Sequence, residues 1–331
     1  MAKAISVIWL FSEISVNSNN RTDCMSLKRT ARSMIKKGMF FMPIWKAIVL
    51  GVIQGAAEFL PVSSSGHLVI VKEILGVDLE NGGIFFDVML HLGTLLAIFV
   101  AFWKDIKHLI IEGIHIFLDI FYNIGMLFGR IVKKDCEFRR VIRSSYRKLV
   151  VLIILSTIPT GIIGILLSDV IELANGMILV PGACLLITSM FLFIADAADE
   201  GEKRPKEVSY LSAGAVGIAQ GFATMPGISR SGTTITACLL CGFEKKFAVK
   251  YSFIMSIPAV LGAVVLELKD FGSLRLSNQD VISCIVATAV AAVVGYLSIC
   301  FMMSLVRGKK YKYFAIYCAI IGLVAIGYYF V

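Results

Sequence analysis

The feature that most constrains this chain is a series of apolar windows about as long as a lipid hydrocarbon core is thick. A helix that crosses a membrane needs about 20 mostly apolar residues. Windows of that kind fall near 84–103, 149–168, 177–195, 250–268, 281–306 and 312–331. Hydrocarbon offers no partner to backbone N–H and C=O groups, so segments of this length must satisfy their own, as helices do. A content of 58% hydrophobic and 17% charged residues over 331 positions places the whole chain far from a soluble domain. The predicted fold is an all-α, polytopic membrane protein with six transmembrane helices. Residues 108–130 are apolar as well, but Glu112, His115 and Asp119 recur there at near-helical spacing, which suits a helix lying at the interface better than one crossing it.

Basic residues set the orientation. Lys and Arg total 32 against 23 acids, and the surplus collects in Arg130–Lys148 and Arg307–Lys312, which are expected to be cytoplasmic. Lys245, Lys246 and Lys250 mark a further internal segment, whereas the loop at 169–176 carries Asp169 and Glu172 without a Lys or Arg and is expected outside. Charge placed this way reports loop orientation and anionic headgroups, and nucleic acid is the poorer reading. The eight cysteines, at 24, 136, 184, 238, 241, 284, 300 and 318, lack regular spacing and read as buried small hydrophobes. Residues 1–41 hold a short apolar run broken by Glu13 and then five basic residues, Lys28 to Lys37, which makes a poor signal peptide. They are treated as an uninterpreted extension, which a mis-chosen start codon would explain, before a membrane domain over 42–331.

Two stretches, 43–82 and 209–244, are apolar yet too rich in Gly, Ser and Pro for plain spans, and read as re-entrant helical hairpins. They match each other. Gln54 and Gln220 stand 166 positions apart, and the same offset pairs Gly55 with Gly221, Ser63 with Ser229, Ser65 with Ser231 and Gly66 with Gly232. The chain therefore looks duplicated, with repeat one over about 42–168 and repeat two over about 177–331. Three spans between the hairpins, an odd number, would make them enter from opposite faces as an inverted repeat.

The hairpins also hold the residues fit for chemistry. In the first, Gln54 and Glu58 share one helical face, Pro61 ends that helix before a Ser63-Ser64-Ser65-Gly66 turn, and His67 opens the next. An ionised carboxylate at this depth must be paired, bind a metal or face a watery cavity, and His67 beside three hydroxyls is a candidate proton carrier or nucleophile. In the second hairpin Thr224, Arg230 and Thr233 stand where the first has Glu58, Ser64 and His67. There Pro226-Gly227 breaks the helix, and Ser229, Ser231 and Thr233 supply hydroxyls and unpaired N–H groups at a helix N-terminus, an arrangement that holds phosphate. Arg230 adds a planar, always-charged fork for phosphate oxygens. An anion cradle facing an acid and candidate nucleophiles is the inventory of phosphoryl transfer. Gln54 and Glu58 could add oxygen ligands for a divalent cation, Mg²⁺ or Ca²⁺.

At these residues the sequence resembles the undecaprenyl-diphosphate phosphatase family, the BacA type associated with bacitracin resistance. The resemblance rests on QGAAEFLPVSSSGH at Gln54–His67 and PGISRSGTTI at Pro226–Ile235. It extends to FDVMLHLGTLLAIF at Phe86–Phe99 and FAIY at Phe314–Tyr317, and so covers residues 42–331. It implies hydrolysis of undecaprenyl diphosphate to the monophosphate carrier that peptidoglycan synthesis recycles, with a divalent cation, at a site opening toward the outer face of a bacterial inner membrane. It carries substrate or metal roles to Gln54 and Glu58, nucleophile or activation roles to Ser64 and His67, and diphosphate binding to Arg230 and Ser229. Whether Ser64 or His67 attacks phosphorus stays open, and a transporter or flippase of the same lipid is the alternative on an inverted-repeat fold. The expected partners are a polyprenyl diphosphate lipid and the bilayer, with a homodimer as an open further possibility.

Overall fold

A computed structural model describes residues 42–77, 83–129, 138–175, 177–267, 278–308 and 310–330. The extension over 1–41, the basic residues Arg130, Lys133 and Lys134, and Cys24 and Cys136 lie outside them. Twelve α-helices run through the described residues: α1 (Ile44–Phe59), α2 (Ser64–Ile74), α3 (Gly83–Ala101), α4 (Trp103–Gly129), α5 (Ser145–Leu166), α6 (Ser168–Asn175), α7 (Leu179–Ala197), α8 (Tyr210–Phe222), α9 (Arg230–Leu240), α10 (Lys245–Glu267), α11 (Asn278–Leu305) and α12 (Tyr311–Tyr329). The chain is an all-helical, multi-pass membrane protein. Six helices are long and apolar enough to cross: Trp103–Leu127, Ser145–Leu166, Leu179–Ala197, Lys245–Leu266, Asn278–Leu305 and Tyr311–Tyr329.

That set meets the expected number with one exchange. Trp103–Leu127 qualifies, whereas the apolar part of α3, Phe85–Ala101, is shorter. The charged positions of α4 are occupied in a particular way. Tyr146 Oη donates to Asp105 at 3.0 Å, Arg147 Nε to Glu112 at 2.7 Å, Arg147 Nη1 and Arg143 Nη2 to Asp119 at 2.6 and 2.7 Å, and Asn123 Nδ2 to the Arg139 carbonyl at 2.8 Å. Contacts spread from Asp105 to Asn123 thus meet one short stretch, Arg139–Arg147, at the start of α5. A helix running alongside α5 would meet successive turns of it, so α4 lies across the end of α5.

The sequence repeat is repeated in three dimensions. The offset of 166 carries Ser64–Ile74 onto Arg230–Leu240, the bounds of α2 and α9, and the N-terminus of α1 onto that of α8. An offset of 132 carries Leu179–Ala197 onto Tyr311–Tyr329, the bounds of α7 and α12. The shorter offset leaves room in the first half for additional chain, and α4 and the short α6 are the helices without a separate counterpart. Packing follows the same exchange: α1 lies on α11 as α8 lies on α5, α3 on α11 as α10 on α5, and α7 lies on α12.

Glycines make the two main contacts close. A Cβ on Gly51 or Gly55 of α1 would come within 2.8 and 2.7 Å of the Ala287 and Ala291 carbonyl oxygens of α11. On Gly217 of α8 it would come within 2.2 Å of the Ser156 carbonyl of α5, and on Gly221 within 2.7 Å of Ile163. Both pairs are spaced as small-xxx-small motifs, which let helices approach where lipid supplies no hydrophobic drive for association. Hydroxyls reinforce the seam, with Ser156 Oγ donating to the Ala213 carbonyl at 2.7 Å and Thr160 Oγ1 to that of Gly217 at 2.8 Å. The large apolar side chains that remain face outward, among them Ile158, Ile162 and Leu166 of α5.

Candidate active site

Each helix–break–helix unit closes on itself at its open end. Lys46 Nζ donates to the Leu75 carbonyl at 2.6 Å, joining the start of α1 to the end of α2. Gly201 and Lys203 bridge Glu244 and Phe243, joining the chain before α8 to the end of α9. The breaks themselves meet in the interior. Ser63 Oγ caps α2 by accepting from Gly66 N–H, and Ser229 Oγ caps α9 by accepting from Gly232 N–H. These are the side-chain caps that the first orphan N–H groups of a helix require. A Cβ on Gly66 would approach Gly227 Cα at 3.0 Å, and one on Gly232 would approach Pro61 Cβ at 3.3 Å, so each tip seats against the other's break. Ser65 Oγ accepts from Gly227 N–H at 3.3 Å, and Ser231 Oγ donates to the Leu60 carbonyl at 3.2 Å.

Three side chains, one of them from the other unit, converge on Glu58, which is only 6% exposed. Arg230 Nη2 donates to Glu58 Oε1 at 2.5 Å, while Ser64 Oγ and Gln54 Nε2 donate to Oε2 at 2.6 and 3.0 Å. Isolated, a buried carboxylate would be costly, and three donors including a guanidinium hold it ionised. Arg230 Nη1, Gln54 Oε1 and Thr233 Oγ1 are buried without a hydrogen-bond partner among the described residues. Buried groups of this kind call for a ligand or water. Backbone strain sits at the same place: Ser63 is the one non-glycine residue with positive φ, at 70°, among the described residues.

His67 is turned differently. Its Nδ1 lies 2.8 Å from the Ser63 carbonyl, which can only accept, so Nδ1 carries the proton. Nε2 then accepts from Tyr317 Oη at 2.8 Å, and the two rings stack at 5.5 Å and 7°. The geometry brings Glu58, Ser64, Gln54 and Arg230 into one hydrogen-bonded group, places Ser63, Ser65, Ser229 and Ser231 at the seam, and ties His67 to α12. Three participants lay outside the sequence-based set. His91 contacts Gln54 Nε2 at 3.1 Å, Tyr317 holds His67, and Thr188 of α7 clamps the second break between the Gly227 carbonyl and Ser229 N–H at 3.0 and 2.9 Å. His91 and Tyr317 stood inside the family-like segments Phe86–Phe99 and Phe314–Tyr317; Thr188 carried no local signal.

The family model described as "Bacitracin resistance protein BacA" matches residues 47–324, which include every residue of this site. The chain belongs to the BacA family. Its relatives include a protein of Methanosphaera stadtmanae named undecaprenyl-diphosphatase, 42% identical over 285 residues, covering 86% of this chain and 98% of the relative. A protein of the same name from Halothermothrix orenii is 39% identical with the same coverage, and one from Treponema denticola is 38% identical over 282 residues, covering 85% and 96%.

Proposed function

We propose that the chain hydrolyses undecaprenyl diphosphate to undecaprenyl phosphate and inorganic phosphate in the cell membrane, recycling a lipid carrier for wall synthesis. The observation that carries the reading is the Arg230–Glu58–Ser64 group, which joins the two breaks across 172 positions and puts a hydroxyl and a phosphate-binding cation each within hydrogen-bonding distance of one carboxylate. The family membership and the names of the relatives support the substrate.

In this reading the terminal phosphate of the diphosphate takes Arg230, using Nη1 as well as Nη2, with hydroxyls and N–H groups at the start of α9 around it. Arg230 thereby withdraws from Glu58, whose Oε2 is left facing the Ser64 hydroxyl with its basicity raised. Ser64 Oγ attacks the terminal phosphorus, its proton passes to Glu58, and the P–O bond to undecaprenyl phosphate breaks. Water then attacks the phosphoserine, releasing inorganic phosphate and returning the serine proton. Support for Ser64 over His67 as the attacking group is that its proton already points at an acceptor, whereas both His67 nitrogens are engaged. Among the described residues no group of three or more His, Cys, Asp or Glu could hold a metal. Gln54 Oε1 and Glu58 do fit as two oxygen ligands to a divalent ion shared with the diphosphate. Such an ion would neutralise charge on the phosphate oxygens.

The proposed topology is an inverted repeat with the two units as re-entrant hairpins. The matching bounds of α7 and α12 support a division between α7 and α8, with proposed repeats over about 42–197 and 210–331. Phosphate release from undecaprenyl diphosphate by the purified chain tests the activity. Loss of about 100-fold or more is expected for Glu58→Ala, Ser64→Ala and Arg230→Ala, the usual range for a base or an oxyanion-binding cation. EDTA is expected to lower the rate and Mg²⁺ or Ca²⁺ to restore it. Absence of release by the intact chain would favour a transporter, and full activity in Ser64→Ala would return the attack to His67 or water.

A further inference from the structure

His91 lies on α3 beside the Arg230–Glu58 pair, its Nδ1 3.8 Å from Glu58 Oε1, and the hydrogen bonds around it select the tautomer of the neutral ring. Glu58, held by Arg230, can only accept, so Gln54 must turn its amide nitrogen rather than its oxygen toward it. The same nitrogen lies 3.1 Å from His91 Nδ1. An amide N–H only donates, so Nδ1 is the bare acceptor and the ring proton of neutral His91 sits on Nε2. No partner for Nε2 is present among the described residues, and the side chain is 37% exposed while Glu58 beside it is 5% exposed. Asp87, one turn earlier on the same face of α3, accepts two hydrogen bonds from the buried Lys72 Nζ at 2.5 and 2.6 Å, which tie α3 to α2. The site therefore holds two histidines in opposite tautomers: His67 with its outward nitrogen an acceptor already taken by Tyr317, and His91 with its outward nitrogen an unused donor.

We propose that His91 is a further substrate-contacting residue, its Nε2–H donating to an oxygen of the bound diphosphate opposite Arg230. The inference rests on the diphosphate reading of the site above. It gives the anion a contact from the first repeat as well as from the second.

The test uses the full chain, His91→Leu and His91→Gln, with hydrolysis of undecaprenyl diphosphate and competitive inhibition by inorganic diphosphate measured on each. Loss of a hydrogen bond to a charged group corresponds to about 10- to 100-fold. His91→Leu is expected to lose that much in kcat/KM and to weaken inhibition by inorganic diphosphate in proportion. His91→Gln, whose amide N–H can reach the place of Nε2–H, is expected to keep most of both. Unchanged inhibition in His91→Leu, or a Gln variant as impaired as the Leu variant, overturns the assignment. A wild-type chain that binds inorganic diphosphate without hydrolysing the lipid defeats the phosphatase reading and leaves the His91 comparison to be read from binding alone. One that does neither defeats both.

Discussion

Glu58 satisfies three donors at once, and the consequence for stability is separable from the consequence for turnover. In Glu58→Ala, Arg230 loses the partner of Nη2 while Nη1 already has none among the described residues. Breaking a buried pair from one side costs about 3–5 kcal/mol, so a lower thermal unfolding temperature in detergent is expected. Inorganic diphosphate should restore much of the loss, because the anion takes the carboxylate's place on Arg230. Its affinity for this variant should be no weaker than for the wild type; a clear drop would mean that Glu58 itself holds the anion. Tyr317→Phe removes the proton donated to His67 Nε2 but keeps the stacked ring. An ordinary hydrogen bond is worth about 0.5–1.5 kcal/mol, so steady-state kinetics should show kcat reduced by about two- to tenfold with KM little changed. The residue types at the site were legible in the sequence, since Gln54, Glu58, Ser64 and Arg230 are unusual so deep in an apolar chain. Their pairings and the tautomers of His67 and His91 were not, because each depends on a partner from another helix.

At the scale of elements, the paired breaks work only if α1 and α8 lie close against α11 and α5. The glycine pairs on α1 and α8 provide that closeness. Gly217→Val would drive a side chain into the Ser156 carbonyl, whereas the Cβ of a residue at Gly214, on the same helix, meets nothing within 4 Å. Overpacking costs about 1–3 kcal/mol, so thermal unfolding should separate the two valine variants by that amount, and activity should fall only in Gly217→Val. Equal stability of the two would remove the seam as the element that seats the second break. Helix existence and the Pro-Gly and Ser-rich breaks followed from composition and turn chemistry. The exchange of packing partners between the halves did not, since the sequence match extends over the hairpins and fades across the spans.

For the whole molecule, one face gathers the starts of α5 and α10 with the chain before α8. Lys250 Nζ donates to Asp105 at 2.6 Å, Lys148 Nζ to the Lys206 carbonyl at 2.7 Å, and Lys245 pairs with Glu200. This is the basic face expected inside the cell. In the proposed inverted topology α4 lies across the end of α5 on that face, and the first unit opens outward while the second opens inward. In a cysteine-free background, Lys107→Cys and Tyr122→Cys, near the two ends of α4, should label from the same side with an impermeant thiol reagent, and Asp169→Cys from the other. Labelling of the α4 pair from opposite sides would make α4 a true span and remove the inversion.

By itself the sequence determined that the chain is helical, membrane-embedded and duplicated, and it marked the two segments that hold the chemistry. Those properties are set by hydrophobic length, by the placement of Lys and Arg, and by local breaks, all of which act within a stretch of chain. Only the tertiary structure decided that α4 stands outside the paired helices, that Glu58 is shared between Arg230 and Ser64, and that His67 and His91 carry their ring protons on opposite nitrogens. Helix packing and hydrogen bonding between different helices make those choices, and no local pattern encodes which partner a buried polar group will find.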